Sequence, residues 1–283
     1  MPPIGCFTAT AKTSVIEEVG THFREELGQD LQLFAGGYYL GGDLGLRADD
    51  QTVVVADDAD QLLGGEAGPE IGVASTKAFT TQLVALVLLA LGLRAARGGA
   101  NQTDIELVAE LQRLPIAVEQ VLSIDDSTYR TATEILSRAS DSLYLGRGIL
   151  YPIALEGALK LKEISYLHAE GYPAGEMKHG PIALINEQMP TVAIVLKDHV
   201  CEKMLSQVEQ AKARGGIVIA VATEGDEQIA EKADHVLYVP EVSEMLSPLV
   251  SVIPLQLLAY HIAVRRGADV DKPRNLAKSV TVE

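Results

Sequence analysis

The second half of the chain alternates short apolar runs with longer segments in which apolar residues recur every three or four positions. The apolar runs predict four strands, at 142–145, 190–196, 217–222 and 235–239. The periodic segments predict four helices, at 152–169, 200–213, 225–232 and 246–265. Strands that are apolar throughout and that alternate with helices indicate an α/β fold, with a parallel sheet covered on both faces.

The first half is less regular, and its pattern divides the chain further. Residues 102–139 are helical in pattern and more charged, which favours a helical connector, whereas at most two strands, one of them at 53–56, precede them. We therefore predict two sheet-containing lobes, the first of them shortened or atypical. The predicted boundaries are 1–95 for the first lobe, 96–140 for the connector, 141–266 for the second lobe and 267–283 for a C-terminal tail.

One apolar run must be compared with the length of a membrane-spanning helix. Residues 83–93 are apolar without interruption, but eleven residues are too few to cross a bilayer. We expect a helix that is buried on all sides instead. The start of the chain, Met1-Pro2-Pro3, lacks the basic segment and apolar run of a signal peptide, so no secretion is expected.

Charge and cysteine content exclude several classes of function. The 283 residues carry 23 basic and 39 acidic side chains, a net charge of −16, which excludes a protein that binds nucleic acid through its phosphates. An anionic membrane surface is disfavoured for the same reason, although a small anionic substrate needs only a few local donors. Two cysteines, Cys6 and Cys201, cannot form a disulfide framework and lack zinc-site spacing. A cytoplasmic protein fits best.

The helix predicted from Pro152 carries three charged residues on one face, Glu156, Lys160 and Glu163, because their offsets are four and three residues. Such a stripe is commonly a set of exposed ion pairs. Its flanks, however, are unusually apolar for an exposed helix. A charged stripe on a mostly buried helix needs a polar cavity or a partner, and a carboxylate there could have a raised pKa and transfer protons.

Three loops offer further candidates. His179 lies between glycines and a proline in the segment 175–181, which suits either an imidazole held at a cleft or an ordinary surface histidine. The triplet at 146–148, Gly-Arg-Gly, between a strand and a helix, suits either phosphate binding or a tight turn. Ser75 is a good N-cap for the apolar helix that follows, and hydroxyls around it could also line a polyol site.

These segments together resemble one known family. Residues 67–83, 151–185 and 254–283 are similar to the isomerase half of glutamine–fructose-6-phosphate aminotransferase, also called glucosamine-6-phosphate synthase. The resemblance covers residues 67–283. It implies two SIS (sugar isomerase) lobes, each a five-stranded parallel sandwich, and a homodimer. It also implies fructose 6-phosphate as substrate, glucosamine 6-phosphate as product, no metal or organic cofactor, and a glutaminase domain in the parent protein.

The resemblance assigns a role to each candidate. Glu163 would move a proton between C1 and C2 of the sugar, with Lys160 assisting at the C1 hydroxyl and Glu156 as a supporting carboxylate. His179 would open the sugar ring from the neighbouring subunit. Lys278 would form a Schiff base with the open-chain ketose, which requires it to be partly desolvated. Positions that match sugar contacts are Val73, Ser75 and Ala277.

Two departures from the family pattern limit these expectations. The family's glutaminase domain, with its N-terminal nucleophilic cysteine, is not recognisable, so this chain is not expected to hydrolyse glutamine. The Ser-Gln-Ser-Gly-(Glu)-Thr motif that binds the sugar phosphate in the family does not occur either. Phosphate contacts can supply much of the substrate's binding energy. The alternative function is therefore a non-catalytic SIS module that binds sugar phosphates weakly or only dimerises.

Overall fold

The computed structural model describes residues 71–277 and the backbone of two two-residue strands, Phe34–Ala35 and Tyr38–Tyr39, which pair in antiparallel orientation. The strand predicted at 53–56, most of the predicted first lobe, and Lys278 lie outside these residues. The described residues divide into two compact units. One contains 75–116, and the other contains 72–74 together with 117–277.

Two helices dominate the first unit, α1 (Lys77–Ala96) and α2 (Gln102–Leu111). A reciprocal cap starts α2: the Asn101 side chain accepts a hydrogen bond from the Asp104 N–H at 3.2 Å, and the Asp104 side chain accepts one from the Asn101 N–H at 2.9 Å. Asp104 also forms an ion pair with Arg94 at 3.3 Å, which ties the start of α2 to the last turn of α1.

The prediction that the apolar run at 83–93 would be buried on all sides is wrong for the described residues. Only Thr80, Val84, Leu91 and Gly92 of α1 are buried, and Leu86 is 55% exposed. The physical reason is that one further complete helix, α2, is described in the same unit, too little to enclose a helix of 20 residues. The helix begins at Lys77 with Thr76, rather than Ser75, in the N-cap position.

By length and composition alone, two described helices could cross a membrane. They are α1, of which 22% of the apolar window is buried, and the helix Ser247–Arg265, of which 78% is buried. The second is mostly buried within the folded unit described next, which accounts for its apolar composition.

A five-stranded parallel sheet forms the centre of the second unit, and it confirms the predicted α/β fold. The strands are β1 (Asp141–Gly146), β2 (His168–Pro173), β3 (Thr191–Val195), β4 (Val218–Thr223) and β5 (His235–Val239). Their order across the sheet is β2-β1-β3-β4-β5, and every neighbouring pair is parallel. All residues of β3 and β4 are buried, as continuous apolar strands require.

The remaining elements of this unit are helical. They are α3 (Leu114–Leu122), whose first three residues belong to the first unit, α4 (Ser127–Arg138), α5 (Tyr151–Ser165), α6 (Cys201–Lys212), α7 (Glu227–Lys232) and α8 (Ser247–Arg265), with short 3-10 turns at Gly148–Leu150, Ala174–His179 and Pro181–Leu184. The predicted strands and helices of this half are confirmed to within a few residues, with one exception.

The exception is the end of α5 and the strand after it. The predicted helix ran to 169, but α5 ends at Ser165 because Tyr166 has a left-handed backbone, with φ of 61°. The chain then enters β2, whose residues are not uniformly apolar, since it forms the edge of the sheet. For that reason the hydrophobic pattern contains no strand signal at 168–173.

Helices cover both faces of the sheet. On one face, side chains of β1, β3 and β4 pack against Met204, Leu205 and Val208 of α6 and Ile229 of α7. On the other face α5 lies between the sheet and α8. A side chain at Gly157 of α5 would come within 2.7 Å of Leu255 on α8 and 3.0 Å of Tyr144 on β1. This close approach fixes α5, the helix with the charged stripe, in the interior.

Candidate active site

The three charged residues of α5 form one cluster. Lys160 Nζ lies 2.6 Å from Glu163 Oε2 and 3.5 Å from Glu156 Oε1. The side chains are 5%, 22% and 11% exposed for Lys160, Glu163 and Glu156 respectively. The prediction that they share a face is confirmed, and burial of this degree excludes an ordinary solvated stripe. The cluster holds one buried cation between two carboxylates.

The electrostatics of the cluster depend mainly on burial. Burial raises the pKa of Glu156, the nearby charge of Glu163 raises it further, and the ammonium of Lys160 opposes both. The Oε2 atom of Glu163 is itself buried, and its contact with Lys160 is a close ion pair without hydrogen-bond angles. The exposed 22% therefore belongs to the rest of the Glu163 side chain, which a small molecule could reach.

The raised pKa of Glu156 predicts a pH dependence of stability. In the folded protein this pKa lies above its ordinary value of 4.5, so the folded state binds more protons than the unfolded chain between the two values. The contribution of Glu156 to stability therefore falls as the pH rises from about 4.5 through the folded pKa. In Glu156→Gln, the melting temperature should decline less than in the unmodified protein between about pH 5 and pH 7. An identical decline in both proteins would contradict the assignment.

The C-terminal tail, described as far as Ala277, packs beside the end of α5. The Asp271 carbonyl accepts a hydrogen bond from the Val73 N–H at 3.0 Å, and the Arg274 N–H donates to Tyr166 Oη at 2.8 Å. Pro273 is buried, whereas Ala277 is exposed. Val73, one of the predicted sugar contacts, thus lies beside the tail. Ser75, a second predicted sugar contact, is partly buried.

His179 is not part of the α5 cluster. It ends the 3-10 turn that follows β2, its side chain is 73% exposed, and its Nε2 lies 4.0 Å from Glu176 Oε2. This turn follows the carboxyl end of β2, whereas α5 runs back from the carboxyl edge and carries Glu163 toward the opposite edge. The topology thus separates His179 from Glu163 within one chain and leaves the imidazole accessible.

The Gly-Arg-Gly segment is a tight turn. A side chain at Gly146 would lie 2.3 Å from the Leu150 carbonyl oxygen, and Gly148 has φ of 57°. Both glycines are thus required by the backbone itself. Arg147 lies against Gly175, where its Nη1 is 3.1 Å from the position of a Cβ. Within residues 71–277, no group of three His, Cys, Asp or Glu side chains is arranged to hold a metal ion.

The sequence analysis missed one pair of residues that shapes this region. Arg274 stacks over Tyr166, with its guanidinium carbon 4.2 Å from the ring centroid. The tail sequence shows several polar residues that could dock but does not indicate which one does. Only the left-handed backbone at Tyr166 directs that ring toward the tail, and no sequence pattern predicts it for a tyrosine.

Comparison with known proteins shows what this chain is similar to. Residues 135–266 match the SIS domain family, a range that contains the whole sheet and the α5 cluster. This part of the chain is therefore similar to SIS domains. The resemblance drawn from the sequence motifs is confirmed by relatives of known name. The chain is 57% identical over 227 residues to glutamine–fructose-6-phosphate aminotransferase (isomerizing) of a Thermus thermophilus strain, and 54% identical over 218 residues to that of Chlorobaculum tepidum.

The matches cover most of this chain but a smaller part of each relative. They cover 80% and 77% of this chain, but only 37% and 35% of the two relatives. The chain thus spans just over a third of the length of the curated relatives it matches. Among solved structures, the C-terminal domain of glucosamine-fructose-6-phosphate aminotransferase from Francisella tularensis is 43% identical, with a TM-score of 0.68. That match covers 73% of this chain and 58% of the other. The chain therefore resembles the C-terminal part of such enzymes.

Proposed function

We propose that this chain carries the sugar-isomerising half of a glucosamine-6-phosphate synthase. The reaction is fructose 6-phosphate plus ammonia giving glucosamine 6-phosphate plus water. The observation that carries the proposal is the buried cluster of one lysine between two carboxylates on the first helix after β1 of the SIS domain. The identity of this chain to relatives named for that reaction supports it.

The chemistry requires a proton to move between two adjacent carbons. A single carboxylate on one face of the open-chain sugar can remove a proton at C1 and return it at C2, with an enediol or enamine between the two steps. Glu163 suits this role because part of its side chain is accessible while one oxygen is held by Lys160. A carboxylate fixed in this way is oriented before the substrate arrives.

Lys160 and Glu156 support that carboxylate. The Lys160 ammonium can donate a hydrogen bond to the C1 hydroxyl as negative charge develops on the sugar. Glu156 compensates the charge of Lys160 from the other side, at 3.5 Å, and keeps the ammonium in place when Glu163 becomes protonated. Burial of Glu156, with the Glu163 carboxylate nearby, raises the pKa of Glu156.

Three further assignments complete the proposed site. Lys278 attacks the C2 carbonyl of the ketose and forms a Schiff base with loss of water, and ammonia then displaces the lysine. His179 opens the sugar ring in the site of a partner subunit, which its exposure and its place at the opposite sheet edge support. Backbone and side-chain groups at three positions contact the sugar: Val73, Ser75 and Ala277.

The wider assignments follow from the same resemblance. We infer that the active form is a homodimer in the cytoplasm. In the parent protein, a glutaminase domain would supply ammonia from glutamine. The relatives' greater length is consistent with such a further domain. The predicted boundaries of the lobes, the connector and the tail also remain proposals.

The first experiment is an NMR time course of the full chain with fructose 6-phosphate and ammonium. Glucosamine 6-phosphate is the expected product, with glucose 6-phosphate expected when ammonium is omitted. Deuterium from the solvent should appear at C2 of the product, since a proton held on a carboxylate exchanges with water. A folded dimer that forms neither product would contradict the proposal.

The shared site predicts complementation between two inactive variants. In a dimer of Glu163→Gln with His179→Ala, one site combines an intact Glu163 with the intact His179 of the other chain. Random exchange of equal amounts makes half of all dimers mixed, so activity should return to about a quarter of the unmodified value. Mixtures that stay inactive after verified subunit exchange would place both residues of each site in one chain.

One observation favours the alternative of a non-catalytic module: the phosphate-binding motif of the family does not occur in the sequence. Such a module would bind fructose 6-phosphate weakly or not at all and would still dimerise. The NMR experiment separates the two functions directly. Product from the unmodified chain that is lost in Glu163→Gln eliminates the module.

A further inference from the structure

A single tyrosine joins the proposed catalytic helix to the C-terminal tail. Tyr166 lies one residue beyond the end of α5 and three beyond Glu163. Its hydroxyl accepts a hydrogen bond from the Arg274 N–H at 2.8 Å, and its ring lies 4.2 Å below the Arg274 guanidinium carbon. Both contacts involve the same tail residue, one through its backbone and one through its side chain.

Hydrogen bonds within the tail turn its backbone before Arg274 meets Tyr166. Asp269 Oδ1 accepts hydrogen bonds from the N–H groups of Asp271 and Lys272, both at 3.0 Å, which turns the chain after α8. The Asp271 carbonyl then accepts from Val73, and Pro273 is buried. The result is a strap, residues 269–274, fixed at two points on its own unit.

The strap is followed in the sequence by the proposed Schiff-base lysine. Lys278 follows Arg274 by four residues, so the chain can extend at most about 14 Å beyond the Tyr166 contact. Asn275 has a left-handed backbone, with φ of 65°, which changes the direction of the chain directly after the contact. Fixing Arg274 therefore restricts the volume that the Lys278 amine can occupy and raises its local concentration near α5.

We propose that Tyr166 is a positioning residue, a latch that holds the tail against the end of α5 so that Lys278 meets the substrate beside Glu163. This inference rests on the proposed function. The latch itself, however, is a contact between described residues, and it can be tested without substrate.

The latch is tested by hydrogen exchange across residues 267–278 in three variants of the full chain. Tyr166→Leu removes both contacts and should speed exchange in this segment about tenfold. Tyr166→Phe removes only the hydroxyl and should speed it about threefold. Arg274→Gln removes only the cation and should give an intermediate effect. Tyr172→Phe, a partly exposed tyrosine of β2, is the matched control and should leave exchange in the tail unchanged.

Function is then measured on the same proteins. Tyr166→Leu should lower kcat about tenfold with little change in KM for fructose 6-phosphate, and it should slow borohydride trapping of the ketose on Lys278 to the same degree. Faster tail exchange with unchanged kcat and unchanged trapping would overturn the positioning role. Unchanged exchange in Tyr166→Leu would overturn the latch. An unmodified protein that forms no product refutes the proposed function instead, and the exchange result still decides the latch.

Discussion

Glu163→Gln is expected to lower the turnover of fructose 6-phosphate by about 10³-fold, the size of effect typical of a removed general acid–base group. Glutamine has nearly the same shape, and its amide oxygen can take the place of Glu163 Oε2 beside Lys160, so the fold and the approach of substrate should persist. The amide cannot take up a proton from carbon. The loss should therefore appear in kcat, with KM for fructose 6-phosphate nearly unchanged, and solvent deuterium should no longer enter the product.

The control for this experiment is Glu202→Gln, which neutralises an exposed glutamate on α6 with no contact to the cluster. It should retain full activity. If Glu163→Gln retained turnover within about threefold, the general base would have to be another group. Glu156, whose pKa is raised and which lies on the other side of Lys160, would be tested next.

Lys160→Met is expected to destabilise the protein by about 3 kcal/mol near neutral pH, because it removes the cation that compensates two partly buried carboxylates. The estimate lies at the lower end for a broken buried pair, since Glu163 is 22% exposed. The remaining carboxylates would ionise less readily. The deficit in unfolding free energy should therefore shrink as the pH is lowered and they become protonated. Urea unfolding at several pH values measures this directly.

The same helix supplies a matched control. Lys162 is exposed on α5, and Lys162→Met should change the unfolding free energy by no more than about 0.5 kcal/mol. The double variant Lys160→Met with Glu156→Gln should recover part of the loss, because one uncompensated carboxylate is removed. Equal destabilisation by both single lysine variants, independent of pH, would show that the cluster contributes through packing alone.

Much of the second unit could be predicted from local pattern. The strands β1, β3, β4 and β5 are short apolar runs, α6 is amphipathic, and α8 is a long apolar helix that is largely buried. The common face of Glu156, Lys160 and Glu163 follows from helical geometry alone. In the edge strand β2 only Ala169 is buried, so its sequence lacks the apolar run that marks the other strands.

Local pattern did not decide the chemistry of the candidate residues. Spacing left the cluster on α5, the loop of His179 and the Gly-Arg-Gly turn each with two interpretations. The structure excludes one interpretation of the first and explains the glycines of the third without a ligand. Burial of Lys160 to 5% rules out a solvated stripe, and a 2.3 Å approach to Leu150 requires a glycine at 146 whether or not a ligand binds there. His179 keeps its role as a proposal, because its partner would be another chain.

The sequence by itself determined the parallel α/β architecture of the second unit and the face shared by three charged residues. The first follows from continuous apolar runs that alternate with helical segments, and the second from the 3.6-residue period of a helix. Only the tertiary structure decided that the face is buried, that α5 stops at Tyr166, and that the tail docks through Arg274. Each of these depends on residues far apart in the chain, such as Tyr166 and Arg274 or Gly157 and Leu255. Contacts of that kind form only when the helix, the sheet and the tail are packed together.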